Sequence, residues 1–345
     1  MHRLILFLIL FSQSAIAQQW HFNDRSFEGG TTKYEIKDIS YRGVSVVDDK
    51  VAWVSGSKGM VRRTMDGGKQ WLYCPVKGYE QCDFRTIYAL DAKTAVIANA
   101  GSPAYILRTT DGGKNWEEVF LNSDKGMFFD GIGFWNDKEG IIYGDPIHGH
   151  LMMFRTHDGG KMWEGMPEQN RPVLMPGEAS FAASGTAIRC EGGSKCVIAT
   201  GGTVSRMWLS QDRGANWYFV WVPIEQGDST KGIFSVACKG SDMIVVGGDY
   251  KNDTLKHDHV LYSADNGKSW GMPKAATGGY RECVEYIDDN TAVTVGTNGA
   301  DITTDGGHSW QPLPAAARYH VIQKARNGKL VVAAGGGGKI ATLER

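Results

Sequence analysis

Short runs of β-branched, aromatic and other apolar residues recur along the chain, each a few positions long and each cut off by Asp, Gly or Asn. "YRGVSVVDDKVAWVSGSKGMVRRTMDGG" (residues 41–68) and "YRECVEYIDDNTAVTVGTNGADITTDGG" (residues 280–307) both hold three such runs. Apolar runs of this length and composition between turn residues predict β-strands. After the third run comes an octapeptide that is repeated almost unchanged: "TMDGGKQW", "TTDGGKNW", "THDGGKMW", "SQDRGANW", "SADNGKSW" and "TTDGGHSW".

The shared pattern is [ST]-x-D-x-G-x-x-W, with its aspartates at Asp66, Asp111, Asp158, Asp212, Asp265 and Asp305. Their separations of 45, 47, 54, 53 and 40 residues fall within or near the period of a four-stranded propeller blade. A seventh copy, "RYHVIQKARNGKLVVAAGGGGKIATLER" (residues 318–345), supplies three strands and stops before any octapeptide. The segment "QQWHF" (residues 18–22) resembles the "KQWLY" that follows the first octapeptide. The expected fold is therefore an all-β, seven-bladed propeller with four-stranded blades. Its N-terminal strand is expected to pair with the last blade, closing the ring and removing open sheet edges.

The octapeptide itself reads as structural. A short carboxylate and a hydroxyl can accept hydrogen bonds from turn amides, Gly takes backbone angles other residues resist, and Trp can pack between blades. Six equivalent aspartates around a ring cannot all face one substrate.

The start of the chain changes the compartment. His2 and Arg3, an apolar run over residues 4–11 and "AIA" at residues 15–17 form a secretory signal with a small-residue cleavage site. Residues 1–17 are thus expected to be a signal peptide and residues 18–345 a single propeller domain, periplasmic or secreted. No cysteine stands immediately after the cleavage site, so a lipid anchor is not expected, and no later apolar run is long enough to span a bilayer; a soluble monomer is expected. Of the 37 Lys and Arg residues only Arg3 falls in the signal, leaving 36 against 38 Asp and Glu. No stretch is basic enough to track a phosphate backbone, which argues against nucleic acid as a partner.

Six cysteines in an exported chain suggest disulfides. Cys190 and Cys196 flank a hairpin-like turn, and Cys74 and Cys82 bracket the connection between the first two blades; both pairs are candidate bridges. Cys238 and Cys283 fall on first strands, where a buried thiol and a bridge are both open.

The six octapeptides resemble the Asp-box, or bacterial neuraminidase repeat, of sialidases and related propellers. The longer unit, with its aromatic-Arg-Gly start, central "VAWVSGSKG" and Asp box, is similar to the photosystem II stability/assembly factor family over essentially the whole mature chain. That resemblance implies an exported or lumenal seven-bladed propeller acting as an assembly scaffold, with relatives in non-photosynthetic bacteria.

In a propeller the first strand of each blade lines the central channel. Connections into it, and the turns between strands two and three, lie on one face, with the Asp boxes on the other. Alignment of first strands places Arg42, Arg85, Asp130, Ala182, Ser235, Arg281 and Arg318 at the channel mouth. Arg42, Arg85, Arg281 and Arg318 could converge there on a carboxylate, a phosphate or an acidic protein loop. The alternative is internal pairing with neighbours such as Asp130 or Glu282. The arginine of the assembly-factor repeat is matched at Arg42, Arg85 and Arg281, whereas repeats three to five depart from it.

A sialidase-like glycoside hydrolase would need an arginine triad, a Tyr nucleophile with a Glu, and an Asp acid. Arg42, Arg85 and Arg281 with Tyr280 or Tyr319, Glu282 or Glu285, and Asp130 are the candidates. The start "YRGV" lacks the Arg-Ile-Pro signature of sialidases. A third lead is "DPIHGH" (residues 145–150) and "DYKNDTLKHDH" (residues 249–259), where His148, His150, His257 and His259 could hold a divalent metal if they converge. No other cofactor is expected: "GGGGK" lacks the following Ser/Thr of a phosphate loop, and there is no nucleophile elbow, H-E-x-x-H or Rossmann fingerprint. The sequence thus points to a non-catalytic scaffold binding a protein or anionic ligand at the channel-mouth face. The long loops 164–180 and 218–232 are candidate contact surfaces.

Overall fold

The computed structural model describes residues 20–25, 36–314 and 318–345; residues 1–17, the expected signal peptide, lie outside the described residues. Seven antiparallel sheets are arranged as a propeller; in six of them the strands follow chain order, and in the seventh the N-terminal strand lies beside the C-terminal one. Blade 1 runs Tyr41–Val46, Ala52–Gly56, Val61–Thr64 and Leu72–Tyr73; blade 2 runs Thr86–Ala89, Ala95–Ala98, Ala104–Thr109 and Glu117–Asn122. Blade 3 is Phe129–Phe134, Gly140–Ile147, His150–Thr156 and Glu164–Gly165, and blade 4 is Ile188–Glu191, Lys195–Ala199, Arg206–Ser210 and Tyr218–Trp221. Blade 5 has Lys231–Lys239, Asp242–Asp249 and Val260–Ser263, its outer strand reduced to the bridge between Tyr262 and Gly271. Cys283–Tyr286, Ala292–Gly296, Gly299–Thr303 and Gln311–Leu313 form blade 6.

Blade 7 takes Tyr319–Lys324, Val331–Gly335 and Ile340–Glu344 from the C-terminus and His21–Arg25 from the N-terminus. The closing register runs from His21 opposite Glu344 to Arg25 opposite Ile340. The seam is a core as well as a ladder: residues of blades 6, 7 and 1 form one buried cluster that includes Tyr41, Val293, Tyr319 and Leu343, with Trp20 and Phe22 packed against it.

Each Asp box folds the same way. The Ser or Thr hydroxyl donates to the Asp carboxylate at 2.7–3.0 Å and accepts the N–H four residues on at 2.8–3.0 Å. The carboxylate accepts the N–H four residues beyond it at 2.9–3.1 Å. These bonds hold the carboxylates below their ordinary range, Asp111 and Asp265 at about 2. The turn is also tied to the turn between strands one and two of its own blade, as in Gly67 N–H to Lys50 O and Gly306 N–H to Asn290 O. Both sets of turns therefore share one face.

Of the candidate bridges, Cys190 and Cys196 are disulfide-bonded, whereas Cys74 and Cys82 are free thiols. Cys74 is committed to the blade 1–blade 2 interface instead. Its Sγ lies 3.5 Å from the Gly112 carbonyl, and Gly113, at φ +81, sits so close that a Cβ there would come within 2.6 Å of the Cys74 Cβ. Burial pushes both free thiols up to about 11. Cys238 and Cys283 are free as well, and Ile322 N–H donates to the Cys283 sulfur at 3.4 Å.

Candidate functional site

The channel mouth is closed by a side-chain network. In blades 1, 3, 5 and 7 a register shift interrupts the inner strand near its start, between Tyr41 and Gly43, Phe129 and Gly131, Ile233 and Ser235, and Tyr319 and Val321. The extra residue of such a bulge is re-aimed out of the ladder. It is Arg42, Asp130, Phe234 and His320 in these blades.

Arg42 reaches across the ring. Its Nη1 donates to the Ala183 carbonyl of blade 4 at 2.8 Å and lies 3.3 Å from Glu282 Oε1 of blade 6. The other Glu282 oxygen takes the His320 ring of blade 7. Ser184 Oγ donates to the Glu282 carbonyl at 2.8 Å, and a hydroxyl chain runs on through Thr186 to Ser235. Glu282 is 5% exposed and Arg42 20%, so the pair is largely sealed from solvent.

The predicted arginine cluster does not assemble. Arg281 is 2% exposed and turned into blade 6, where its guanidinium is held by Asp301, Asn298 and the Tyr280 carbonyl. Arg85 is 2.7 Å from Asp83, and Arg318 is exposed, with no ion pair among the described residues. Ala182 precedes the residue whose carbonyl meets Arg42, and Ser235 lies one position past the bulge. The sequence holds the correction. Asp48 and Asp288 cap equivalent turns through two backbone amides each. Counting back from them pairs Arg42 with Glu282, not Arg281.

Asp130 is 1% exposed and neither carboxylate oxygen has a hydrogen-bond partner among the described residues. Burial, with Asp145 beside it, pushes its carboxyl well above the ordinary range in spite of Arg85. Asp145 is pushed up to about 6, again by burial. Burial, with Asp130 and Asp145 nearby, also pushes up Tyr143, whose hydroxyl is 2.8 Å from Ser180 Oγ.

The candidate hydrolase tyrosines are held in packing roles. Tyr280 is buried edge-on to Phe234 at 4.8 Å, and burial and Glu282 push its hydroxyl up. Tyr319 donates to Asp24 at the closing seam, and burial pushes it up too. Glu285 is spent on Arg189, 2.8 Å away. The two histidine pairs diverge. His150 is 3.6 Å from Glu168 and His148 occupies a turn at φ 53; His257 is exposed beside Glu225 at 3.0 Å, while His259 is buried against the Thr277 carbonyl. Among the described residues no three His, Cys, Asp or Glu side chains group closely enough to hold a metal ion.

Two spaces remain. The first is the channel below the plug, a cavity of ≈520 Å³ reaching from Gly43 and Ser184 to Asp288, Asp289 and Arg326 in the strand one–two turns. It therefore leads toward the Asp-box face, opposite the face on which the sequence places a ligand. The second is a groove of ≈640 Å³ on the outer edge of blade 4, between residues 169–173 and the outer strand Tyr218–Trp221. It belongs to the two loops singled out above. Exposed apolar side chains cluster on it and next to it: Val173 57%, Met175 46%, Tyr218 50%, Phe219 40% and Trp221 55%. Arg206 stiffens this surface. It is buried on Glu178 and stacked 4.4 Å from both the Trp208 and Phe219 rings.

Fold and site define an Asp-box propeller with an internally paired channel mouth and an exposed aromatic groove on its rim. Residues 15–126 and 101–218 match the family described as photosynthesis system II assembly factor YCF48, and the chain belongs to that family. Among solved structures it is similar to YCF48 bound to D1 peptide, at 16% identity and TM-score 0.63 over 95% of this chain and 96% of that one. YCF48 from Cyanidioschyzon merolae gives 14% identity and TM-score 0.66 over 94% and 99% of the two chains. The GH74 xyloglucanase from Xanthomonas campestris gives 15% and 0.61, over 93% of this chain and 53% of that one. No curated protein matches the sequence.

Proposed function

We propose that this chain is an exported, non-catalytic binding propeller that holds a protein segment, in the manner of the assembly factors whose family it shares. The observation that carries the reading is the group of exposed apolar side chains at and beside the blade 4 groove. Single exposed apolar residues are ordinary, whereas a clustered patch beside a groove marks an interaction surface. Phe219, Trp221 and Tyr218 lie on an outer strand whose far edge has no sheet partner among the described residues, so an extended segment can add there through backbone hydrogen bonds while its side chains enter the groove. The reading moves contact from the channel mouth, where Arg42 is already paired, to the rim. Export rests on the signal-like first 17 residues.

The test is capture from envelope extract by wild type, a Phe219→Ala/Trp221→Ala variant and an Arg42→Ala variant, with turnover of a fluorogenic sialoside assayed on the same samples. A partner kept by wild type and lost by the folded blade 4 variant supports the reading. An unchanged set of partners, or sialoside turnover, overturns it.

A further inference from the structure

The channel cavity starts at Gly43 and Ser184, neighbours of the Arg42–Glu282–His320 network, and forms a vestibule toward the Asp-box face. We propose that this vestibule is a second binding site, distinct from the rim groove, that takes a small oxyanion on Lys324 and Arg326 of blade 7.

Charge pairing along the wall carries the inference. Arg189 is spent on Glu285 and on the Val236 carbonyl at 2.8 Å. Lys239 lies 3.8 Å from Asp289 and 4.0 Å from Asp242, and Asp288 accepts two turn amides. Arg85, at the inner end, is held by Asp83. Lys324 and Arg326 are left as lining cations with no carboxylate in ion-pair reach among the described residues, although Asp49 and Glu285 feel the Lys324 charge.

Arg326 is also held in place. It donates to Ser45 Oγ at 3.1 Å and to the Ala89 carbonyl, and its guanidinium lies 4.4 Å over the Tyr88 ring. Two of its donors are satisfied; a guanidinium has five, in a planar fork suited to an oxyanion. The opposing carboxyls are weakened, since burial pushes both Glu191 and Glu285 above their ordinary range. A space of ≈520 Å³ suits a small organic or inorganic anion rather than a polymer.

The probes are inorganic sulfate and malonate, titrated by calorimetry at low ionic strength into the full chain, Lys324→Gln, Lys324→Gln/Arg326→Gln, and Lys50→Gln as a control on the same face. The expected result is saturable binding of at least one probe, weakened about tenfold or more in the double variant, severalfold in Lys324→Gln and unchanged in Lys50→Gln. The stronger probe shows whether the site prefers a tetrahedral oxyanion or a carboxylate. Because sulfate keeps its charge, its affinity is also expected to rise as pH falls toward the carboxylate range, where Glu191 and Glu285 take up protons earlier than an ordinary glutamate. The Lys324 ammonium makes no hydrogen bond among the described residues, so that single variant separates binding from folding. No saturable binding, or equal loss in Lys50→Gln, overturns the proposal.

Discussion

Arg42 Nη1 of blade 1 lies 3.3 Å from Glu282 Oε1 of blade 6, and the same carboxylate receives His320 of blade 7. One acidic group thus ties together blades on both sides of the ring-closing seam. Removing one partner of a buried pair leaves the other charge desolvated, a costlier change than removing both. Glu282→Ala is expected to lower the unfolding free energy by about 3 kcal/mol, and Glu282→Gln by less. Urea unfolding measures both. A change within about 0.5 kcal/mol for Glu282→Ala would mean that the channel mouth is not held by this pair.

Asp130 gives the opposite expectation. A carboxyl group whose proton is held more tightly in the fold than in the unfolded chain stabilises fully below its unfolded value, and that stability is lost as pH rises through the folded value. For Asp145 the loss runs from the ordinary carboxylate range up to about pH 6, and for the more deeply buried Asp130 it extends upward from the same range. The Asp-box carboxylates work in the reverse direction, losing their contribution as pH falls from about 4 toward 2. Asp130→Asn is expected to unfold later than wild type at pH 8, by about 1–3 kcal/mol, and to flatten the decline between pH 5 and pH 8. Thermal melts across that range decide it; an Asn variant less stable than wild type at pH 8 would show that ionised Asp130 is supported by Arg85.

The architecture was legible because its determinants are local and repeated. Six Asp boxes fix the blade turns, and the unfinished seventh repeat with "QQWHF" foretold the seam in which Arg25 meets Glu344 at 3.2 Å. The channel mouth was only half legible, because a bulge adds one residue to an inner strand and the repeat pattern does not display it. Aligning on "YR" therefore placed Arg281 where Glu282 stands, and Arg318 and Ser235 one or two positions from His320 and Phe234. The blade 4 groove was seen as long loops but not as an apolar surface. Its exposure depends on Arg206 and Glu178 pairing 28 residues apart.

The cysteines offer a direct chemical check. Intact mass before and after alkylation under denaturing conditions is expected to show one disulfide and four free thiols, with peptide mapping placing the bridge at Cys190 and Cys196. Under native conditions half-buried Cys82 is expected to be alkylated well before buried Cys74, since burial removes solvent access and holds both as thiols. Recovery of a Cys74–Cys82 peptide from the oxidised protein would restore the bridge that its spacing suggests.

Closure of the ring by His21–Arg25 makes the last prediction. The strand supplies a full antiparallel register along Ile340–Glu344, hydrogen bonds from Asn23 and Arg25 to Glu344, the Asp24 carboxylate that receives Tyr319, and the Phe22 ring 4.6 Å from Tyr319. Deleting residues 1–25 would remove those contacts and leave Ile340–Glu344 as an unpaired edge, a template for strand pairing between molecules. The truncated protein is expected to lose about 3 kcal/mol of stability and to self-associate with rising concentration, read by denaturant unfolding and light scattering. A synthetic peptide spanning residues 18–25 is expected to restore the monomer, because it returns both the ladder and the Phe22 contact. A truncated chain that stays monomeric with an unchanged unfolding midpoint would show that three strands suffice for blade 7 and that the seam is held by the channel-mouth pair instead.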